Sequence, residues 1–195
     1  MFEYIEGTLT EVAPTYAIID TGGIGYFIHI SLITSGQLQQ QAKTRLYIYQ
    51  VIREDTNKLY GFADKGERSL FEALIGVSNV GPNSAITVLS TYPYQDITNY
   101  ILQEDVNALK AVKGIGSKTA QRIVIDLKDK LAEQYADTST ALAGSDHQAL
   151  REEAASALQM LGFSKSAVDK TLDKLIQKNP DISVEALVKK ALKSL

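Results

Sequence analysis

The feature that most constrains this chain is a segment that occurs twice, 35 residues apart. Residues 77–85 read VSNVGPNSA, and residues 112–120 read VKGIGSKTA. The two copies share several apolar residues and one glycine, and the matched pairs are Leu74 with Leu109, Val77 with Val112, Val80 with Ile115, Gly81 with Gly116 and Ala85 with Ala120. The apolar spacing on both sides of the glycine is helical, so each copy predicts a helix, a short turn and the start of a second helix.

An anion site is predicted where each second helix begins. The first N–H groups of a helix have no acceptor inside it and lie at the positive end of its dipole, where phosphate is the usual anion. In the second copy Lys118 follows the turn, Thr119 adds a hydroxyl donor, and Arg122 lies one helical turn further on. This arrangement is typical of the helix-hairpin-helix motif, which binds the DNA backbone without reading base sequence. Two copies can hold both strands of a duplex across its minor groove. The alternative is a pair of helical hairpins with a glycine stop and no ligand.

The first copy lacks the charge of the second. Asn79 stands where the second copy has Gly114, and Asn83 stands where it has Lys118. Because asparagine tolerates left-handed geometry, we expect the first turn to form, and to bind phosphate more weakly through neutral hydrogen bonds. A glycine at the shared position tolerates a positive φ and lets another backbone approach without a Cβ clash. The predicted DNA contacts are Asn79, Gly81, Asn83 and Ser84 in the first copy and Gly114, Gly116, Lys118, Thr119 and Arg122 in the second.

The first 62 residues show the alternation of β-strands. The predicted strands are Phe2–Leu9, Tyr16–Asp20, Gly25–Ile30, Arg45–Val51 and Lys58–Phe62. Glycines at 22 and 23 and the REDTN stretch provide turns between them. Five short strands in so few residues predict a small barrel, and the OB-fold is the commonest candidate.

In the rest of the chain the apolar residues recur with helical spacing, except in one segment. Residues 63–135 predict a middle helical domain, and residues 136–147, ADTSTALAGSDH, predict a flexible linker because they are small, polar and aperiodic. Residues 148–195 predict a three-helix, UBA-like module near the lower size limit for independent stability. Such a tethered module suits docking better than catalysis. Ile182 and Leu187 are candidates for a docking surface, although core packing explains them equally well.

Several classes of function are excluded. The chain has no cysteine, so disulfides, thiol catalysis and cysteine-bound metals are ruled out. His29 and His147 are far apart without ligand spacing, so we expect no metal and no cofactor. A phosphate-binding loop of an ATPase needs G-x-x-x-x-G-K-[ST] after a strand. Here Ser117 follows Gly116, Ala111 replaces the earlier glycine, and a helix precedes the turn.

The N-terminal sequence and the lack of a long apolar run predict a cytoplasmic protein, and the net charge predicts that it binds its ligand through local geometry. The N-terminal residues MFEYIEGTLTEV do not resemble a signal peptide, and no apolar run approaches the ~20 residues that span a bilayer. A net charge of −3 provides no general attraction for nucleic acid. Any polyanion would therefore be bound through specific local contacts.

Together these features resemble the RuvA family of Holliday-junction-binding proteins, nearly end to end. The resemblance is carried by REDTNKLYGF at residues 53–62, by the paired turns, and by MLGF at residues 160–163. It implies an α+β multidomain protein with an OB-fold barrel (residues 1–62) that drives tetramerisation and a tandem helix-hairpin-helix domain (residues 63–135). It also implies that the mobile C-terminal domain (residues 148–195) contacts RuvB, the hexameric ATPase motor, and that the RuvC resolvase can join. One tetramer or two facing tetramers would hold a four-way junction.

The resemblance assigns a role to the tip of one predicted hairpin. Glu54 and Asp55 would form an acidic pin at the centre of the tetramer, where their charges repel phosphates at close range. Arg53 would be a nearby phosphate ligand or the partner of Glu54. From the residues alone, a solvated hairpin tip is the better explanation of Glu54 and Asp55, because Glu, Asp, Thr and Asn are ordinary turn residues; the resemblance reverses this preference.

Two other functions remain open from the sequence. The first is a DNA nuclease or ligase fragment in which Glu54, Asp55 and a divalent metal would be catalytic. Against it, adjacent carboxylates on a tip splay apart, and no third acid or lysine is placed beside them. The second is a single-stranded nucleic-acid module built on the barrel, with tyrosines that stack on bases. We expect a non-catalytic scaffold.

Overall fold

The computed structural model of this chain describes residues 2–141, 146–179 and 182–194. It divides into two compact units, Met1–Ala132 and Glu133–Leu195. The sequence predicts the barrel (residues 1–62) and the middle helices (residues 63–135) as separate domains, but residues 1–132 fall within one unit.

The N-terminal strands form a closed barrel in the order β1-β2-β3-β5-β4. The strands are β1 (Tyr4–Ala13), β2 (Tyr16–Asp20), β3 (Gly25–His29), β4 (Lys43–Arg53) and β5 (Thr56–Phe62). Neighbouring strands are antiparallel except for β3 and β5, whose parallel pairing closes the barrel. A short helix that the sequence did not predict, α1 (Leu32–Gln37), joins β3 to β4, and the side chain of Ser31 caps it by accepting a hydrogen bond from the Thr34 N–H.

Alternate residues of each strand fill the barrel. Leu9, Ile19, Ile28, Leu46 and Ile48 all lie in its core with at most 1% of their surface exposed. Side chains of a strand point to opposite faces at every step, so this alternation leaves the intervening residues outside. The predicted strand period is confirmed.

The middle helices pack on one end of the barrel. They are α2 (Lys65–Ile75), α3 (Pro82–Thr91), α4 (Tyr94–Leu102), α5 (Val106–Lys110) and α6 (Ser117–Ala141). The ring of Phe71 on α2 lies 5.1 Å from that of Tyr60 and 5.0 Å from that of Phe62, centroid to centroid. These aromatic contacts from β5 extend the helical core into the barrel, which explains why the two parts form one compact unit.

The predicted linker differs from what the structure shows. Residues 136–141 are the last part of α6, and α7 (Asp146–Met160) begins at the next described residue. Residues 142–145 of the predicted linker lie outside the described residues. The expectation of an aperiodic coil at 136–141 is wrong because these residues include no glycine or proline, so a helix can continue through them without an apolar face.

The C-terminal unit is a three-helix module, as predicted. It contains α7, α8 (Lys165–Lys178) and α9 (Val184–Ala191), which enclose a core that includes Leu158, Val168, Leu172 and Leu187. The α7 helix ends at Met160, and Gly162 just beyond it has a φ of 95°. The N–H of Phe163 donates to the Leu158 carbonyl at 3.2 Å, as in a Schellman motif. Within the described part of the chain, no helix is long and apolar enough to cross a membrane.

Candidate nucleic-acid interface

The two repeated turns have the same backbone hydrogen bonds. In each copy two backbone N–H groups, three residues apart, each donate to the carbonyl of the residue three positions earlier. The second helix then begins with a hydrogen bond from an N–H to the carbonyl four positions earlier. The pairs are Val77 to Leu74 (3.0 Å) and Val112 to Leu109 (3.2 Å), Val80 to Val77 (3.0 Å) and Ile115 to Val112 (3.1 Å), and Ala85 to Gly81 (3.0 Å) and Ala120 to Gly116 (2.9 Å). The duplication seen in the sequence is therefore also a duplication of backbone geometry.

The left-handed residue of each turn lies two positions before the shared glycine. Asn79 has a φ of 69° and Gly114 has a φ of 89°, and these are equivalent positions of the two copies. Gly81 has a φ of −88°, and Gly116 is also outside the left-handed region. Neither shared glycine therefore uses the positive φ that glycine tolerates, whereas the expectation that asparagine supports the left-handed geometry of the first turn is confirmed.

The shared glycines are not needed for the fold of the chain itself. A Cβ added to Gly81 or Gly116 would meet nothing within 4 Å. Neither internal packing nor backbone conformation therefore requires glycine at these two positions. An atom that approaches from outside the chain, such as a ligand backbone, would benefit from the missing side chain.

The first helical turn of α6 presents unused donors. Among the described residues, the N–H groups of Ser117, Lys118 and Thr119 have no protein acceptor, and the side chain of Lys118 is exposed. In α3 the first position is Pro82, which has no N–H, so the donors that remain are those of the next two residues. The second copy therefore offers one more backbone donor than the first.

The charge of the two copies differs more than their geometry does. The second copy has four cations close to its turn, and none of the equivalent positions of the first copy is charged; the pairs are Lys110 with Ile75, Lys113 with Ser78, Lys118 with Asn83 and Arg122 with Thr87. The Nε of Arg122 lies 3.6 Å from an Asp126 oxygen, and both side chains are partly exposed. Such a surface pair is weak, so it leaves the Arg122 charge available.

Glu54 and Asp55 form the two-residue turn between β4 and β5. Arg53 pairs with Thr56 across the hairpin, and both acidic side chains are exposed. The hydroxyl of Thr56 donates to an Asp55 carboxylate oxygen at 3.1 Å. No cluster of three or more histidine, cysteine, aspartate or glutamate side chains that could hold a metal occurs in the part of the chain that was described. The tip thus presents two carboxylates to solvent.

A groove of about 290 Å³ separates this hairpin from the start of α3, and we call it the hairpin groove. Arg53, Thr56 and Lys58 line it from the hairpin, and Asn83 and Ser84 line it from the first turn. The structure therefore brings Arg53 next to the predicted contacts of the first copy. Lys58 was not among the predicted site residues, although its alternation with Tyr60 on β5 places both on one face of the strand.

The electrostatics of this barrel face show the influence of Lys58. Burial lowers the pKa of His29, and the nearby charge of Lys58 lowers it further. The imidazole of His29 lies 5.4 Å from the ring of Tyr60, centroid to centroid. The charge of Lys58 therefore acts on His29, which lies on the barrel face that leads into the hairpin groove.

Family models match almost the whole chain. The RuvA N-terminal domain matches residues 1–61, a SAM-like helix-hairpin-helix tandem matches residues 71–129, and the RuvA C-terminal domain matches residues 149–195. A relative from Bacteroides fragilis (strain YCH46) is 44% identical over 201 aligned residues that cover 100% of both chains. This chain belongs to the RuvA family. Relatives from Bacteroides thetaiotaomicron and Flavobacterium psychrophilum are 45% and 41% identical, again over 100% of both chains. All three relatives are named Holliday junction branch migration complex subunit RuvA.

Membership of the RuvA family confirms the resemblance drawn from REDTNKLYGF, the paired turns and the C-terminal module. It also confirms the predicted fold class, because the closed five-stranded barrel, the paired turns and the three-helix module coincide with the matched models. The individual DNA contacts and the acidic pin stay predictions.

Proposed function

We propose that this protein binds four-way Holliday junctions as the non-catalytic DNA-binding subunit of a branch-migration complex. The observation that supports it most is the pair of matching backbone turns that open two helices, each with a glycine that leaves room for a ligand backbone to approach. The relatives that align with the entire chain are named as RuvA subunits of such a complex. Contacts of this kind go to phosphate, so junction shape and not base sequence sets selectivity.

A homotetramer suits this ligand because its four subunits, each with two DNA-binding turns, match the four duplex arms of the junction. Phe2, Tyr4 and Phe27 on the barrel are 39%, 47% and 49% exposed, and exposed aromatic surface of this kind favours association between subunits. In the tetramer Glu54 and Asp55 act as the acidic pin. Their charges repel the phosphates of continuous duplex and guide separated strands into new arms.

The C-terminal unit is the docking module for RuvB, the ATPase motor, and RuvC joins the same assembly in the cytoplasm. Met160 is 88% exposed and Leu161 is 61% exposed at the turn after α7, so they are available to an apolar partner. Ile182 and Leu187 are 8% and 0% exposed. Those two residues are core, and the docking surface is proposed at the MLGF turn instead.

A gel-shift titration tests the proposal. The substrates are a synthetic four-way junction, a linear duplex and a single strand of equal length, each at several salt concentrations. We expect a strong preference for the junction, and the double variant Lys118→Ala with Arg122→Ala to weaken binding and reduce the salt slope by about two. The matched control is Lys43→Ala, which removes a lysine at the far end of β4. Equal binding to all three DNAs would contradict the junction assignment.

A further inference from the structure

The first turn has no cation of its own, although it has the same backbone geometry as the second. Its equivalent positions hold Ile75, Ser78, Asn83 and Thr87. A proline at its first helical position also removes one backbone donor. Two neutral N–H groups and two short polar side chains would give this turn a much weaker hold on a phosphate than the second turn has.

Two cations from a different part of the chain face this turn. Arg53 and Lys58 line the hairpin groove opposite Asn83 and Ser84. In the strand ladder Arg53 pairs with Thr56 and Lys58 pairs with Val51, so residues 51, 53, 56 and 58 occupy one face of the hairpin. The groove is open, so a phosphodiester can reach both of its walls.

Neither cation is engaged by an acid. Other cations of this unit have partners: Lys43 lies 2.8 Å from a Glu6 oxygen, and Arg68 lies 2.9 Å from a Glu3 oxygen. Among the described residues no carboxylate forms an ion pair with Lys58 or Arg53, although Glu54 and Asp55 are close in sequence. Their charges are therefore available to an external anion.

We propose that Lys58 supplies the cationic phosphate contact that the first turn lacks, so that the first DNA-binding site is built jointly by the barrel and by the start of α3. The ligand is a backbone phosphodiester of the junction, and the inference rests on the proposed function. Arg53 flanks the same phosphate, and Ser84 and the α3 N–H groups complete its contacts.

This composite site places a phosphate contact and the acidic pin on the same β4–β5 hairpin. Lys58 lies three residues from Asp55, roughly 10 Å along the strand. The hairpin that carries the acidic pin therefore also carries a DNA anchor. A phosphate held by Lys58 therefore fixes the distance between the duplex arm and the pin.

The test is a salt-dependent titration of the junction with the full chain. We expect Lys58→Ala to weaken binding by about tenfold and to lower the salt slope by about one, because a charge-assisted contact to phosphate is lost. Adding Asn83→Lys to Lys58→Ala should restore both values, because it places the charge where the second copy has it. Lys43→Ala, at the far end of β4, is the control, and thermal melts by circular dichroism confirm that each variant is folded.

The outcomes separate the inference from the proposed function. If Lys58→Ala binds like Lys43→Ala while Lys118→Ala with Arg122→Ala is weakened, the composite site is wrong and the junction proposal stands. If Lys58→Ala is weakened but Asn83→Lys does not restore binding, the charge-replacement role is wrong. If no variant differs from the wild type, the proposed function itself fails.

Discussion

The hydroxyl of Ser31 donates a hydrogen bond to a carboxylate oxygen of Glu67 at 2.6 Å, across 36 residues of chain. The Thr34 hydroxyl donates to the other oxygen, also at 2.6 Å. All three side chains are buried. The carboxylate thus fastens α2 to the short helix α1 of the barrel, and so helps to hold the first DNA-binding turn next to the hairpin.

Glu67 should make stability depend on pH. Burial raises its pKa above the usual 4.5, and the hydrogen bonds from Ser31 and Thr34 only partly oppose this. The folded protein therefore holds this proton more tightly than the unfolded chain, so the free energy of unfolding falls as pH rises from 4.5 through the raised pKa. Glu67→Gln should gain stability relative to the wild type over that interval. Urea titrations at pH 4 to 8 measure it, and a pH-independent difference would contradict the assignment.

Removing the Glu67 side chain should be costly at any pH. Glu67→Ala leaves two buried hydroxyls without their acceptor and opens a cavity, so we expect a loss of about 2–4 kcal/mol. The exposed Glu72 on the same helix is the control, and Glu72→Ala should change stability by less than about 0.5 kcal/mol. Urea denaturation of the full chain provides both values.

The left-handed position of each turn should tolerate only some substitutions. Asn79→Gly should stabilise the protein slightly, and Gly114→Ala should destabilise it by about 1–2 kcal/mol, because a Cβ is strained at positive φ. Chemical denaturation checks both. Equal tolerance of alanine at 114 and at 116 would show that the left-handed geometry contributes nothing to stability.

Substitution of a shared glycine should weaken DNA binding without changing the stability of the fold. Gly116→Ala should change the free energy of unfolding by less than about 0.5 kcal/mol, since the added Cβ meets open space inside the chain. Junction affinity should nevertheless fall, because the Cβ occupies the approach of the DNA backbone. Unchanged affinity in a gel shift would remove the close-approach role of Gly116.

The acidic pin should act through charge alone. Glu54→Gln with Asp55→Asn should bind the junction and linear duplex more tightly, and the ratio of the two affinities should fall because repulsion of continuous duplex is lost. The same titrations with magnesium should show no strand cleavage by the wild type. Cleavage that disappears in the double variant would instead favour the nuclease alternative.

The sequence was sufficient for features that depend on neighbouring residues. The strand alternation, the two helix starts and the left-handed asparagine all follow from local backbone preferences and side-chain spacing, and the structure confirms them. The same local reasoning could not decide whether Gly81 and Gly116 serve through a positive φ or through close approach of another backbone, because glycine permits both. It also missed α1 and extended the linker into α6.

What the sequence determined by itself is the five strands, most of the helices, the duplicated turn and membership of the RuvA family. The tertiary structure alone decided which distant residues meet. Parallel pairing of β3 with β5 closes the barrel, and packing of Phe71 on Tyr60 and Phe62 sets the helices against it. Those contacts bring Lys58 opposite Asn83. No local sequence pattern predicts this proximity of Lys58 and Asn83, because it depends on the order in which the strands pair and on how the helices pack against the barrel.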